Sequence, residues 1–113
     1  MSERITTVKE YFDRLGERFV ASAAKGVQAI FQFDISGPQG GVWHVVVNDG
    51  AMEVCEGKHP KPSATVTATD DDYVQIANGD INGLRAVMTR RMKVAGNLVM
   101  ARKMQYILPT GNI

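Results

Sequence analysis

Few side chains in this sequence could do chemistry on their own: His44, His59, Cys55 and the acidic run 70–72. A cysteine nucleophile needs a base positioned beside it, and no neighbour of Cys55 in the sequence supplies one. Adjacent carboxylates at the start of a helix point in different directions. No calcium-loop spacing follows them, so we interpret residues 70–72 as caps. The sequence therefore predicts no catalytic residue, no metal site and no cofactor, and thus a protein that is not an enzyme.

Nucleic acid also fits the sequence poorly. The formal net charge is +1, which gives no molecule-wide field for a polyanion. The aromatic residues fall at apolar positions, whereas aromatic platforms for base stacking lie among basic residues. No helix start follows Gly37, Gly40 and Gly41, as it would in a phosphate-binding loop. We expect no nucleic-acid partner.

Length and composition predict one ordinary globular domain, residues 1–113. Hydrophobic residues make up 44% of the 113 residues and charged residues 22%. The apolar runs are far shorter than the roughly 18 residues of a membrane span. The polar start MSERITTVKE lacks the apolar core of a signal peptide, and a single cysteine cannot form an intrachain disulfide. These features predict a soluble, cytoplasmic protein.

The first predicted element is a helix that begins after Thr7. Thr7 and Glu10 have the spacing of a capping box, which satisfies free backbone N–H groups of the first turn. Gly26 is the expected stop, because glycine adopts the left-handed conformation at low cost. The apolar positions at helical spacing are Val8, Tyr11, Phe12, Leu15, Phe19 and Ala23.

Four strands are predicted between residues 27 and 69. Polar and apolar side chains alternate in the first and the last of them, while VWHVVVN is apolar on both faces and is expected to be central. The Asn48-Asp49-Gly50 sequence predicts a tight hairpin turn. The predicted strands are 27–36, 42–48, 51–56 and 63–69.

Two short helices are predicted after the fourth strand. Thr69 or Asp70 is expected to cap the first, Asn78-Gly79 to end it, and Asp80 to cap the second. The apolar positions are Tyr73, Ile76 and Ala77 in the first helix and Ile81, Leu84, Val87 and Met88 in the second.

A fifth strand and a last helix complete the predicted elements. In RRMKVAG, Met92 and Val94 alternate with basic residues, which indicates an edge strand with one solvent-exposed face. Asn97 is expected to cap the last helix, and Pro109 and Gly111 to end it.

The alternation gives the predicted sheet one polar and one apolar face. Helices must cover the apolar face, so the fold class is α+β: two layers, with helices on one face of a mainly antiparallel sheet of five strands. The residues expected on the polar face are Gln28, Gln32, Asp34, Glu53, Cys55, Thr65, Thr67, Thr69, Arg91 and Lys93.

The last helix is apolar on more sides than its seating requires. Leu98, Val99 and Tyr106 lie across the helical wheel from the seating face, among Arg102 and Lys103. A helix that lines a cavity, an oligomer interface or a membrane contact has this pattern. The residues of the seating face are Met100, Ala101, Met104, Ile107 and Leu108.

Methionines and basic residues add to the pattern at this end of the chain. Methionine adapts to irregular partners, so inward methionines suit either gap filling in a core or an adaptable ligand wall. From Asp80 onward there are six basic residues and one acid, which indicates a solvated face or a patch for anionic lipid or a carboxylate. The inward methionines are Met52, Met88, Met92, Met100 and Met104.

The chain resembles the sterol carrier protein 2 domain, the non-specific lipid-transfer family. The resemblance rests on ATVTATDDDY, NGDINGLRAV and MKVAGNLVMARKM, and GVWHVVVNDGAMEV also fits. It extends roughly from Tyr11 to Leu108. The resemblance implies a five-stranded sheet with helices over one face, an apolar tunnel between the layers, and binding of fatty acid, fatty acyl-CoA, phospholipid or sterol.

On this basis we expect a lipid-binding and lipid-transfer protein. Arg102 and Lys103 are the candidates for contact with a lipid head group or an anionic membrane surface. The candidate lipid-lining residues are Phe31, Phe33, Trp43, Val66, Ile76, Leu84, Met88, Met92, Val94, Leu98, Met100 and Met104.

Two other functions stay open at this point. In a protein-interaction module, Leu98, Val99 and Tyr106 would form a homodimer or partner interface over a fully packed interior. In a small enzyme that acts on an apolar substrate, a buried acid or histidine would lie within the cavity, and only His44 could take that role.

Overall fold

The computed structural model describes residues 4–109, which form a five-stranded sheet with four helices on one face. The α+β class and the two-layer arrangement are therefore confirmed. Within residues 4–109, no helix has the length and apolarity that crossing a bilayer requires. In chain order the elements are α1 (Val8–Asp13), a 3-10 turn (Leu15–Glu17), β1 (Gln28–Ser36), β2 (Gly41–Asn48), β3 (Ala51–Glu56), β4 (Ala64–Thr69), α2 (Asp70–Asn78), α3 (Gly83–Met88), β5 (Met92–Gly96) and α4 (Leu98–Ile107).

The strands are ordered β3-β2-β1-β4-β5, with β1 in the middle. β1 and β4 are parallel, and the other three neighbouring pairs are antiparallel. The prediction of a mainly antiparallel sheet is therefore confirmed. β2, the strand that is apolar on both faces, is interior, and β5 is an edge as predicted.

The β2–β3 hairpin turns at Asp49-Gly50, as the sequence predicts. Asp49 has φ +45° and Gly50 has φ +85°, which are the two positive φ angles of a type I′ turn. The Asp49 carboxylate also accepts a hydrogen bond from the Gly26 N–H at 2.7 Å, so the turn is tied to the segment before β1.

One face of the sheet is buried under the helices and the other is largely polar. Phe31, Phe33 and Ile35 of β1 are buried on the helix side, and β2 and β4 add their own inward residues. Gln32 is an exception on the predicted polar face, because it is only 6% exposed. Its side-chain oxygen accepts a hydrogen bond from the His59 N–H at 2.9 Å, and the loop 57–63 covers it.

The first helix is shorter than the sequence predicts. Thr7 caps it by accepting from the Glu10 N–H, but the helix ends at Asp13 with Arg14 as its C-cap. A 3-10 turn and further turns then lead to Gly26, whose positive φ belongs to a turn. The apolar spacing is satisfied by this irregular segment, since Leu15 is fully buried and Phe19 packs on the core.

The ends of α2 and α4 are confirmed. The Thr69 hydroxyl accepts from the Asp72 N–H, and Gly79 closes α2 in the left-handed conformation. Asn97 caps α4 by accepting from two backbone N–H groups. Gly111, a predicted stop for α4, lies outside the described residues.

The predictions for α3 are wrong in two respects. Asn82 caps the helix, while Asp80 forms an ion pair with Arg4 that holds the pKa of the Asp80 carboxyl below its usual value. Ala86 is the fully buried residue, and Leu84 and Met88 are 72% and 75% exposed. α3 therefore rests on β5 through one small side chain, and its larger apolar residues point outward.

Gly96 allows β5 to pair closely with β4. Its φ is +105°, and a Cβ atom there would lie 2.6 Å from the Ser63 carbonyl oxygen. We expect Gly96→Ala to lower the free energy of unfolding by about 2 kcal/mol, measured by urea denaturation. Gly16→Ala is the control, since no atom lies within 4 Å of its added Cβ. Equal losses in both variants would contradict the prediction.

Candidate functional site

A cavity of about 680 Å³ lies between the sheet and the helices. Its walls come from β1, β4 and β5 on one side and from all four helices on the other. This volume lies within the range of about 300–1,000 Å³ that ligand pockets occupy.

The sheet wall is a row of side chains that crosses three strands. Phe33 on β1 is paired with Val66 on β4, and Val66 is paired with Val94 on β5. Met92 lies one row further along β5. Because the inward residues of β4 are only alanine and valine, they leave space beneath the helices.

The helix wall is formed mostly by residues that are incompletely buried. α4 is seated by Ile107, which is fully buried, and contributes Leu98, Ala101 and Met104 to the cavity. α3 contributes Leu84 and α2 contributes Ile76. Of the apolar residues of α4 that lie outside its seating face, Leu98 therefore borders the cavity, while Val99 and Tyr106 lie on the outer surface.

The enclosed end of the cavity contains two tyrosines, Tyr11 and Tyr73, whose hydroxyls are polar. Both residues line the cavity and are almost fully buried, and their ring centroids lie 5.1 Å apart at 85°. The buried Arg18 guanidinium lies 5.7 Å from the Tyr11 ring centroid. Burial raises the pKa of Tyr11 above its usual value and raises that of Tyr73 further.

These raised pKa values predict a loss of stability in alkali. A tyrosine whose pKa is higher in the folded state keeps its proton there after the unfolded chain has lost its own. The stabilisation is complete below the ordinary pKa of 10.0 and declines as the pH rises above it. The slope is about 1.4 kcal/mol per pH unit for each such tyrosine.

We therefore expect Tyr73→Phe to flatten the fall in unfolding free energy between about pH 10 and pH 11. Urea denaturation at stepped pH values measures this. Tyr106→Phe is the matched control, since it removes the hydroxyl of a ring that is 67% exposed. The same pH profile in the Tyr73 variant and the parent would contradict the prediction.

The open end of the cavity combines apolar and cationic side chains. Leu84 and Leu98 line the cavity although each is more than 70% exposed, so they border the opening. Arg102, Asn82 and Gln105 add polar groups to this rim. The rim therefore suits a ligand whose apolar part is inside and whose polar part is outside.

Eight of the twelve candidate lipid-lining residues are on the cavity wall. Arg102 is also on the wall, whereas Lys103 is exposed beside it. Their roles in binding stay predictions. The eight are Phe33, Val66, Ile76, Leu84, Met92, Val94, Leu98 and Met104.

The other four candidates lie elsewhere. Phe31 is fully buried in the core, and Trp43 stacks on Phe12 with ring centroids 4.6 Å apart. Met100 packs on the core beside the cavity, and Met88 is exposed on α3, so the expectation that Met88 is inward is wrong.

Several wall residues did not appear among the candidates. Tyr11, Tyr73, Val87, Ala101 and Leu108 line the cavity. Alternation and helical spacing identify all five as apolar-face residues, but they do not distinguish a residue beside a void from one in a packed core. The signal that the sequence does contain is a small residue, Ala101, at the centre of the wall-facing side of α4.

Of the residues that could do chemistry, His44, His59, Cys55 and the acids 70–72, none lines this cavity. His44 is on the opposite face of the sheet, with its Nδ1 2.9 Å from the Gly57 carbonyl oxygen and its ring beside His59. Cys55 shares that face with Glu53, and partial burial together with this carboxylate raises the pKa of its thiol. Asp70 accepts hydrogen bonds from the N–H groups of Gln39 and Asp71.

No group of three or more potential metal ligands occurs within residues 4–109. His44 in particular cannot act on a substrate in the cavity, because the sheet separates the two. The hypothesis of a small enzyme that uses His44 is therefore wrong.

Comparison with known proteins identifies relatives across nearly the whole chain. Residues 10–109 match the SCP-2 sterol transfer family. Hydroxysteroid dehydrogenase-like protein 2 from Homo sapiens is 29% identical over 107 residues, which cover 93% of this chain and 25% of that protein. The chain spans only 20–25% of the length of the relatives with this name.

Solved structures share the fold. The solution structure of the sterol carrier protein domain 2 of Helicoverpa armigera has 27% identity and a TM-score of 0.70, covering 89% of this chain and 84% of that chain. The solution structure of palmitated SCP2L2 from Aedes aegypti has 20% identity and a TM-score of 0.70, covering 96% and 99%. The two-layer fold is thus common to this chain and to both insect proteins.

Proposed function

The chain belongs to the SCP-2 sterol transfer family, and on that premise we propose that it binds and transfers lipid held in its cavity. The proposed ligands are fatty acid, fatty acyl-CoA, phospholipid or a sterol-like molecule. The observation that carries the proposal is the cavity of about 680 Å³ between sheet and helices, with a largely apolar wall. The palmitated state of the Aedes aegypti protein supports an acyl ligand.

Burial of the acyl chain provides the affinity. Side chains such as Phe33, Val66 and Val94 offer no hydrogen bonds, so they contact methylene groups alone. Each buried methylene contributes about 0.8 kcal/mol, which corresponds to a roughly fourfold gain in affinity. Affinity should therefore rise with acyl-chain length until the cavity is full.

The polar head of the ligand is proposed to stay at the rim. Arg102 on the cavity wall is the residue for a carboxylate or phosphate, since a guanidinium binds such groups through paired hydrogen bonds. Lys103, exposed on the next position of α4, is proposed to contribute long-range attraction to the same group.

Fatty-acid titration tests the proposal directly. The purified protein is titrated with a fluorescent fatty acid, which is then displaced by saturated acids of 10, 12, 14 and 16 carbons, with affinity expected to rise about fourfold per methylene. Native mass spectrometry before and after addition of palmitate is expected to show one bound acid. Neither an adduct nor uptake of the fluorescent acid would overturn the proposal.

The interaction-module alternative is not favoured. It requires a fully packed interior beneath α4, whereas a cavity lies there. No catalytic step is part of the proposal, and the dehydrogenase-like name of the longer relatives is not carried over to this chain. A cytoplasmic location, a single domain over residues 1–113 and homodimer formation stay predictions.

A further inference from the structure

Exposed apolar side chains are concentrated on α3 and α4. Of the seven large apolar side chains exposed within residues 4–109, six belong to these two helices. Both helices line the cavity, so the exposed residues lie around or beside its opening. The six are Leu84, Val87, Met88, Leu98, Val99 and Tyr106, which we call the rim patch.

The residues of the rim patch are arranged along the outer sides of the two helices. Leu84 and Met88 are four residues apart on α3, and Val99 and Tyr106 are seven apart on α4, so each pair shares one helix side. Leu98 lies about 100° around α4 from Val99 and borders the cavity that it lines. The patch is therefore two outward apolar stripes that flank one opening.

Cations lie among these apolar residues, and acids do not. Residues 81–113 contain six lysines and arginines and no aspartate or glutamate. Arg85 on α3 and Arg102 and Lys103 on α4 are exposed between patch residues. Within residues 4–109, the recorded ion pairs do not involve these three.

We infer that the rim patch docks on the surface of an anionic lipid bilayer. Interfacial helices combine apolar side chains that enter the acyl boundary with lysine and arginine that meet anionic head groups, which is the composition of α3 and α4. Tyrosine is enriched at this level of a bilayer, which suits Tyr106. The docked opening would face the acyl layer.

A second copy of this chain fits the patch less well. A two-fold interface would press one rim patch against the other and bring the cations of both copies together, and residues 81–113 contain no acid to pair with them. A bilayer instead supplies an apolar layer and an anionic layer together. Docking does not depend on a ligand in the cavity, but its role in loading the ligand rests on the proposed function.

Vesicle co-sedimentation of the whole chain tests the inference. The parent is expected to bind vesicles of phosphatidylcholine with 30% phosphatidylserine at least tenfold better than phosphatidylcholine alone, and to release them in 0.5 M NaCl. Val99→Ser/Tyr106→Ser is expected to weaken binding to the anionic vesicles at least tenfold. Neither residue lines the cavity, so uptake of the fluorescent fatty acid from solution should be unchanged.

Two double variants, each of which removes two cations, test the role of charge. Arg85→Gln/Lys103→Gln, in the rim patch, is expected to reduce vesicle binding at least fivefold. Lys58→Gln/Lys61→Gln, in the exposed loop on the far side of the sheet, is the matched control and is expected to leave vesicle binding unchanged. Undiminished vesicle binding by Val99→Ser/Tyr106→Ser overturns the inference. So does a parent dimer that these substitutions dissociate while no vesicle binds. If the parent binds vesicles but takes up no fluorescent fatty acid, the result counts against the proposed function and not against this inference.

Discussion

Phe12→Ala is expected to lower the free energy of unfolding by about 3–5 kcal/mol. The Phe12 ring stacks on Trp43 at a centroid distance of 4.6 Å and meets Phe33 edge-on at 5.1 Å. It is 3% exposed, so truncation leaves a void among aromatic rings that neighbouring side chains fill only in part. Because α1 has only six residues, this ring is a large share of what holds it on the sheet.

Urea denaturation of two separate variants, Phe12→Ala and its control Tyr106→Ala, measures this contribution. Tyr106 is also aromatic but is 67% exposed, so its truncation should change the unfolding free energy by less than about 0.5 kcal/mol. A loss below about 1 kcal/mol in Phe12→Ala would mean that α1 is not anchored through this ring.

The strands and most helix ends could be predicted because local rules determine them. Alternation identifies the inward side chains of β1 and β4, and the Asp49-Gly50 turn has few backbone solutions. Thr69 and Asn97 cap their helices through atoms within three residues. At these positions the local preference and the final packing agree.

The failures occur where a distant partner decides between local alternatives. Asp80 has the composition of an N-cap, but Arg4, which is 76 residues away, pairs with its carboxylate, and Asn82 takes the cap. Gln32 has the alternation of an exposed strand residue, but the loop that contains His59 closes over it. Sequence spacing contains no information about these contacts.

α3 shows a different limit for prediction of the site. Its apolar stripe correctly predicts an amphipathic helix, but Leu84 and Met88 are exposed, and Ala86 seats the helix. A stripe indicates which side chains share a helix face and does not indicate whether sheet, cavity or solvent lies opposite. The same limit explains why the alternation predicts Phe31 and Trp43 at the cavity, although both lie in the core: inward strand residues fill the core and the cavity wall alike.

The wall-facing side of α4 provides the strongest functional test of the cavity. Ala101 lies on the cavity wall and is only half-buried, so a larger side chain there has space to extend into the void. An indole would occupy volume that the acyl chain needs and would exclude several methylene groups. Because each lost methylene costs about 0.8 kcal/mol, exclusion of only two weakens binding by more than about tenfold.

We therefore expect Ala101→Trp to bind the fluorescent fatty acid at least about tenfold more weakly than the parent, and palmitate to suffer more than decanoate. Ala95→Trp is the matched control, because Ala95 is exposed on the opposite face of β5 and should leave affinity unchanged. Val94→Phe, which fills the cavity from the sheet side, repeats the test if Ala101→Trp unfolds at a lower urea concentration. Parent-like affinity in folded Ala101→Trp and Val94→Phe proteins would exclude the cavity as the lipid site.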